Sequence, residues 1–258
     1  MRISIKEIKD YIKCPLYYKL KNLDEIPFDK SINSYFKDYF KLALYFYYFS
    51  LLDKKKKSFE LMMKRWEELW FSREMLDLFS EEELKKKSNE AAILMNTFFK
   101  RFSDEPITPI AVNFQYEAIF EGKEHLHVTG DIDLIKILND RTHKSETCIT
   151  MFSMSKNYPD TFMVKNDLGM SVASYAFRSN FKTQEDKITL QNISCSEDTP
   201  TIRTGNDFLR AEKAIRNICN GIKNGVFYPS PNNISCGDCP YKLFCLNEKS
   251  INGEVGKC

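Results

Sequence analysis

The sequence predicts a mixed α/β fold, and three observations carry that prediction. Helical periodicity dominates from about Ser31 to Phe102. Beyond Pro106 and Pro109 it gives way to short runs rich in Ile, Val, Thr, Phe and Tyr, the composition of strands. A helical stripe then stands between two such runs, which reads as a β-α-β unit. At 258 residues the chain buries roughly three-quarters of its unfolded surface, enough for one large domain or two small ones. With 43% apolar and 29% charged residues it groups with globular rather than disordered chains. The simplest division is one domain over 1–258. Within it lie a helical insertion at 31–105, a sheet core at 106–200, and a C-terminal helix with a cysteine cluster at 201–258.

Taken in order, Ser4-Ile5-Lys6-Glu7 has the form of a capping box, with Ser4 as N-cap and Glu7 reaching back. Ile5, Ile8, Ile12 and Leu16 follow at helical spacing, so a short helix leads into Cys14. Three or four helices are expected across 31–102, broken near Asp53–Lys57 and near Phe79-Ser80. The last of them should run from about Glu81 to Phe102. The lysine runs at 54–57 and 85–87 read as solvated faces or turns, with Lys54–Lys57 as an alternative contact for phosphate. Most of the aromatic stretch from Tyr35 to Phe49 reads as core, with base stacking as the alternative. Strands are expected over Ile110 to Phe120, Leu126 to Leu138 and Thr147 to Met154, with turns at Glu121-Gly122-Lys123 and Asn139-Asp140-Arg141. A helix from about Leu168 to Arg178 and a strand from Lys187 to Ile193 complete the β-α-β pattern. In the last helix, about Asp207 to Lys223, Phe208, Ala211, Ile215, Ile218 and Ile222 form one stripe. Arg210, Lys213 and Arg216 lie off that stripe and form a basic outer face, the candidate contact for nucleic-acid phosphate. Gly221 and Gly225 weaken the helix end, and Pro229 and Pro231 stop it.

A net charge of +2 gives bulk electrostatics no role in recruiting nucleic acid, so any such site must be a local patch. The N-terminus is charged and lacks an apolar signal core, and Leu42 to Leu52 is too short to span a bilayer. A reducing, cytoplasmic compartment without a membrane partner is therefore expected, and thiols would be free or metal-bound. Of eight cysteines, Cys14 stands alone in Cys-Pro-Leu-Tyr-Tyr-Lys, while Cys236, Cys239 and Cys245 form Cys-x2-Cys-x5-Cys. Four thiolates can close a tetrahedral zinc site or hold the corners of an iron–sulfur cluster, and here the chain ends would have to meet. Cys148, Cys195 and Cys219 read as small buried or half-buried groups, and Cys258 is uninformative. His125 and His127 share a strand face and read as surface residues.

Three segments carry a family resemblance: Ser4 to Leu20, Gly130-Asp131-Ile132-Asp133-Leu134, and Ile222 through Pro231 to Cys245. Together they resemble the PD-(D/E)xK nuclease superfamily in its iron–sulfur, RecB-like branch, which includes CRISPR-associated RecB-like exonucleases and the AddB nuclease domain. The resemblance implies a restriction-endonuclease-like mixed central sheet flanked by helices. It also implies a C-terminal iron–sulfur clasp, a 4Fe-4S cluster on Cys14, Cys236, Cys239 and Cys245, with zinc as the alternative.

The family's chemistry needs a Mg²⁺ held by carboxylates with a lysine beside it. Asp133 matches the first carboxylate. The second carboxylate and the lysine fall on Met151 and Ser153, the family glutamine falls on Ser171, and its histidine on Lys37. Tyr175 keeps the family tyrosine. The resemblance thus implies a degenerate nuclease with Asp133 and Tyr175 as remnants and no Mg²⁺. Such a protein would hold its cluster and bind DNA, a protein partner or both within a nucleic-acid-processing complex. Asp131 on the same face, Glu117 on the strand before and Lys156 three residues past the expected lysine sustain an alternative, an active metal-dependent DNA exonuclease with relocated groups. A protein-interaction or inhibitor module that never touches DNA is the third reading.

Overall fold

The computed structural model describes residues 1–53, 58–122, 124–139, 145–155, 160–194, 197–232, 236–237 and 239–246. Its six strands are β1 (Arg2–Ser4), β2 (Ile107–Phe120), β3 (Leu126–Asn139), β4 (Ser145–Ser153), β5 (Lys187–Asn192) and β6 (Glu197–Thr201). They form one mixed sheet in the order β1-β3-β4-β5-β6, with β2 also paired to β3, and helices flank it as expected. The chain divides into two compact units. The first joins Met1–Lys30, Ile119–Thr129 and Leu209–Cys258; the second joins Ser31–Ala118 and Gly130–Phe208.

In the first unit, β1 runs parallel to the start of β3, pairing Arg2 with His127 and Ser4 with Thr129. Ser4 then ends the strand and caps α1 (Ile5–Lys13) through the predicted box: its hydroxyl accepts the Glu7 amide at 3.1 Å, and Glu7 Oε2 accepts the Ser4 amide at 2.8 Å. Pro15 starts α2 (Pro15–Tyr18), where its missing N–H costs nothing, and a π turn follows at Lys19–Leu23. The two chain ends meet here. The Leu16 amide donates to Tyr228 O at 3.1 Å, Tyr11 Oη to Val226 O at 2.8 Å, and Tyr241 Oη to Ile26 O at 2.9 Å. Tyr17 and Phe28 both meet the Tyr241 ring edge-on, each 5.5 Å away between centroids. At Gly221 a Cβ would collide with Tyr11 Oη, so glycine is what permits this approach.

The second unit opens with α3 (Ile32–Leu52), α4 (Phe59–Trp70), α5 (Arg73–Leu78) and α6 (Glu81–Phe102), the expected helices with the expected breaks. Ser31, Ser58 and Ser80 each accept the N3 amide, and Glu83 completes a second capping box. Phe36, Phe40, Tyr47, Tyr48, Trp66, Trp70 and Phe98 are buried in the shared core, so much of the aromatic stretch of α3 is structural, while Phe46 and Phe49 are exposed. Burial of each such side chain contributes about 1.5–3 kcal/mol. The two indole N–H groups are matched, Trp66 to Ser88 Oγ and Trp70 to Leu84 O.

The β-α-β unit is present: β4 and β5 run parallel, Cys148 opposite Lys187 through Ser153 opposite Asn192, with α8 (Leu168–Phe181) between them in sequence. β3 and β4 are antiparallel, as are β5 and β6. The helix Lys242–Leu246 lies beyond the sequence reading, and so do β1, β6 and α7 (Thr161–Lys165). Each has three to five residues, too few to show a period, and β6 contains Pro200, which an outermost strand tolerates.

Candidate functional site

The Gly130–Leu134 segment lies within β3. Alternation sets Asp131 and Asp133 on one face, opposite the fully buried Ile132 and Leu134. Gly130 is required because a Cβ there would strike the Tyr116 phenol. Asp133 is 1% exposed and accepts three hydrogen bonds. The Lys41 ammonium donates to its Oδ1 at 2.6 Å, the Tyr45 phenol donates to the same oxygen, and the Phe152 amide donates to Oδ2 at 2.7 Å. Lys41 Nζ also lies 3.6 Å from Asp131 Oδ2, so one ammonium bridges both acids. Lys41 and Tyr45 are one helical turn apart on α3 and therefore face the same way.

Burial pushes the Asp133 carboxyl above its ordinary range, against Lys41, Tyr45 and the Phe152 amide, which all favour the charged form. Burial pulls the Lys41 ammonium down, but Asp133 and then Asp131 outweigh it and hold it above the ordinary lysine range. The two shifts oppose each other, since a raised acid favours the neutral pair and a raised base the charged one. Three donors aimed at two oxygens fit the carboxylate, so the ion pair is the form this geometry holds. Burial, then the charge of Asp133, drives the Tyr45 phenol far up, and it remains a donor.

The remaining family positions carry no such chemistry. Met151 and Ser153 are half-buried in β4, opposite Leu190 and Asn192, and Ser153 Oγ accepts the Ser155 amide at 3.2 Å. The residue between them gives Asp133 a backbone N–H in place of a neighbouring carboxylate or ammonium. Ser171 is buried and donates to Asp167 O at 3.1 Å along its own helix. Tyr175 meets the Phe208 ring edge-on at 5.6 Å, and the Arg178 guanidinium lies over the same ring. Lys37 lines a hollow of about 160 Å³ together with Lys41, Leu44 and Phe152. Glu117 is exposed on β2, and Lys156 lies outside the described residues.

All four cysteines of the predicted set fall in the first unit, each half-buried. Cys14 closes α1, its amide donating to Asp10 O, while its sulfur accepts the Ser230 amide at 3.4 Å. The Cys236 sulfur accepts the Asn232 amide, also at 3.4 Å. The Cys245 thiol is raised first by burial and then by Cys14, Cys239 and Cys236. Among the described residues, however, no three His, Cys, Asp or Glu side chains are gathered into a group that could hold a metal ion. The donor set itself, four thiols with amide N–H groups aimed at two of them, is the chemistry that iron–sulfur and zinc sites use. Cys148 and Cys219 are buried, as expected, and burial pushes the Cys148 thiol up to about 11. Cys195 and Cys258 lie outside the described residues.

The basic face of α9 (Gly205–Lys223) is less uniform than its sequence implies. The Arg216 guanidinium donates to Glu124 O, Phe120 O and Glu121 O at 2.9–3.1 Å and pairs with Glu212, which commits it to the β2–β3 connection. Arg210 and Lys213 are exposed. His125 is exposed beside Glu121, and His127 is half-buried. The residues that sequence reasoning missed are Lys41 and Tyr45. Their one signal is a lysine and a tyrosine four apart on the helix, at the start of its most apolar part.

The family model of the PD-(D/E)XK nuclease superfamily matches residues 2–246. No curated protein matches this chain. One similar solved structure, described as "Crystal structure of SSO0001", aligns over 71% of this chain and 80% of that one, at 12% identity and a TM-score of 0.38. Among the described residues, no helix is long and apolar enough to cross a membrane.

Proposed function

The chain belongs to the PD-(D/E)XK nuclease superfamily, and from that premise we propose that it is a non-hydrolytic nuclease-fold protein, a binding subunit for DNA or a protein partner in a nucleic-acid-processing assembly. One observation carries this reading: the Lys41 ammonium sits between Asp131 and Asp133, where a divalent cation would be needed. Metal-dependent hydrolysis requires carboxylate oxygens open to Mg²⁺ so that the ion can neutralise phosphate charge and activate water. Here the first carboxylate is occupied by an ammonium, a phenol and an amide. Lys41 compensates the acids' charge but brings no coordinated water. A thioether at Met151 and a hydroxyl at Ser153 replace neither the second carboxylate nor the lysine.

Cys14, Cys236, Cys239 and Cys245 would hold a 4Fe-4S cluster, with zinc as the alternative, and that group would act as a structural tie between the chain ends. The exposed Arg210 and Lys213 are the candidate DNA contacts. The deciding assay is incubation with single-stranded and duplex DNA in Mg²⁺ or Mn²⁺, with Asp133→Ala as control. No cleavage is expected. Metal-dependent cleavage that Asp133→Ala abolishes would establish the active exonuclease instead. Salt-dependent DNA binding weakened by Arg210→Ala and Lys213→Ala supports the DNA-holding role; its complete absence would leave the protein-interaction module.

A further inference from the structure

The second unit contains a polar cavity of about 120 Å³ on one face of the sheet. Strand pairing gathers its lining: Lys136 stands opposite Cys148, Cys148 opposite Lys187, and Gln191 opposite Asp198. Alternation turns these side chains and Thr150 to the same side. A sheet face inside a domain is ordinarily apolar. This one presents two ammonium groups, an amide, two hydroxyls, a thiol and a carboxylate, with Glu105 closing the set.

Thr150 and Gln191 are each 1% exposed, yet Thr150 Oγ1 and both Gln191 amide atoms have no hydrogen-bond partner among the described residues. Asp198 Oδ1 is likewise unmatched, while its Oδ2 faces Arg101 at 3.4 Å. Buried polar atoms are ordinarily paired, so donors and acceptors left open around a hollow point to an occupant. The cations here are anchored by acids, Lys136 on Glu105 at 3.0 Å and Lys187 on Glu146 at 2.8 Å, which fixes charges of both signs around the space.

Size and shape narrow the occupant. At roughly 30 Å³ per water, the volume holds about four waters or one small molecule of similar bulk. The described lining contains no aromatic ring, so a flat base would find nothing to stack on. Neither a lone anion nor a lone cation satisfies both the ammonium side and the open carboxylate and amide oxygens. We propose that the cavity binds a small zwitterion of the amino-acid class. Its carboxylate would lie toward Lys136, Lys187 and the Thr150 hydroxyl, and its ammonium toward Asp198 Oδ1 and Gln191 Oε1. The site shares no residue with the Lys41–Asp133 cluster, so it stands whether or not the protein cleaves DNA.

The test is calorimetric titration of the full chain, dialysed free of amino acids, with glycine, alanine, serine and aspartate in turn, alongside melting curves. At least one should bind saturably and raise the melting temperature. Gln191→Leu and Thr150→Val should each weaken that binding tenfold or more. Because Gln191→Leu removes an unmatched buried amide, its ligand-free melting temperature should equal or exceed that of the wild type, which separates lost binding from lost folding. The proposal is overturned if none of the four binds, if the binding survives Gln191→Leu unchanged, or if a high-resolution structure grown with the ligand shows only water in the cavity.

Discussion

Replacing Lys41 with methionine keeps the apolar stem in place and deletes the ammonium, leaving Asp133 with two neutral donors and no counter-ion. Removing one partner of a buried ion pair costs about 3–5 kcal/mol when the surviving charge is enclosed. Asp133 is enclosed at 1% exposure, but the Lys41 side chain is 35% exposed, so water reaches the pair from one side. That lowers the expected cost to about 2–3 kcal/mol at pH 7. At roughly 2–4 °C per kcal/mol for a chain of this size, melting should fall by about 5–10 °C. Asp133→Asn should cost less, because the ammonium left behind can hydrate. The pH dependence has a definite sign. The folded Asp133 pKa is already raised by burial, and Lys41 is the first influence opposing it. Its removal raises that value further, so the deficit is largest well above pH 4 and shrinks as pH falls toward the unfolded value of about 3.9. Urea denaturation of Lys41→Met and wild type at pH 5 and pH 8 measures both terms. The same variant should gain stabilisation from Mn²⁺ that the wild type lacks, since the place between the two acids is vacated. A Lys41→Met protein as stable as wild type at pH 8, or a deficit that does not change with pH, would refute the reasoning.

Three further outcomes are expected. Cys14→Ala should strip the iron, or zinc, measured by elemental analysis of anaerobically purified protein and lower the melting temperature of the chain; unchanged melting would remove the clasp. The folded Cys148 thiol, pushed up to about 11 by burial, carries about a hundredfold less thiolate at pH 8 than an ordinary cysteine. Iodoacetamide should therefore spare it until urea unfolds the chain, and the stability it lends, complete below about pH 8.5, should be lost as pH rises through 11; equal labelling of folded and unfolded protein would contradict this. Gly221→Ala should cost about 1–3 kcal/mol through overpacking against the Tyr11 hydroxyl, and the cost should shrink when the same change is made in a Tyr11→Phe background.

Much of the architecture was legible because it rests on local rules. The Ser4/Glu7 box announces its helix, and the breaks near Asp53 and near Phe79-Ser80 fall between the helices where they were expected. The long strands were readable from alternation and the last helix from its apolar stripe. What stayed hidden depends on pairing across the chain. β1 has three residues, and its identity as a strand comes from its partner, the start of β3. The polar cavity is invisible in sequence because Lys136, Thr150 and Gln191 each look like solvent-facing strand residues until four strands align them. Arg216 reads as part of a basic face, and only the tertiary structure shows three backbone carbonyls taking up its donors. Of the candidate site, the acids were legible and their cation was not. Lys41 sits 92 positions away from Asp133 in sequence, inside a helix rich in core aromatics.

On the proposed non-hydrolytic reading, the presence of Asp133 then needs its own explanation. A buried carboxylate is expensive unless hydrogen bonds and a counter-charge surround it, and Asp133 has both. Its three bonds reach α3 twice and the β4 backbone once, so one side chain fixes a helix and the neighbouring strand to β3. Loss of the acid would strand Lys41, Tyr45 and the Phe152 amide together. Loss of a carboxylate at position 151 or a lysine at 153 would strand nothing of comparable cost, because neither takes part in that network. Asp133 thus has a structural role in this network, and its presence alone is no argument for hydrolysis. The discriminating experiment is the pair Lys41→Met and Asp133→Leu with their double variant. If Asp133 is structural, the two losses should be strongly non-additive, the double variant approaching the better single one.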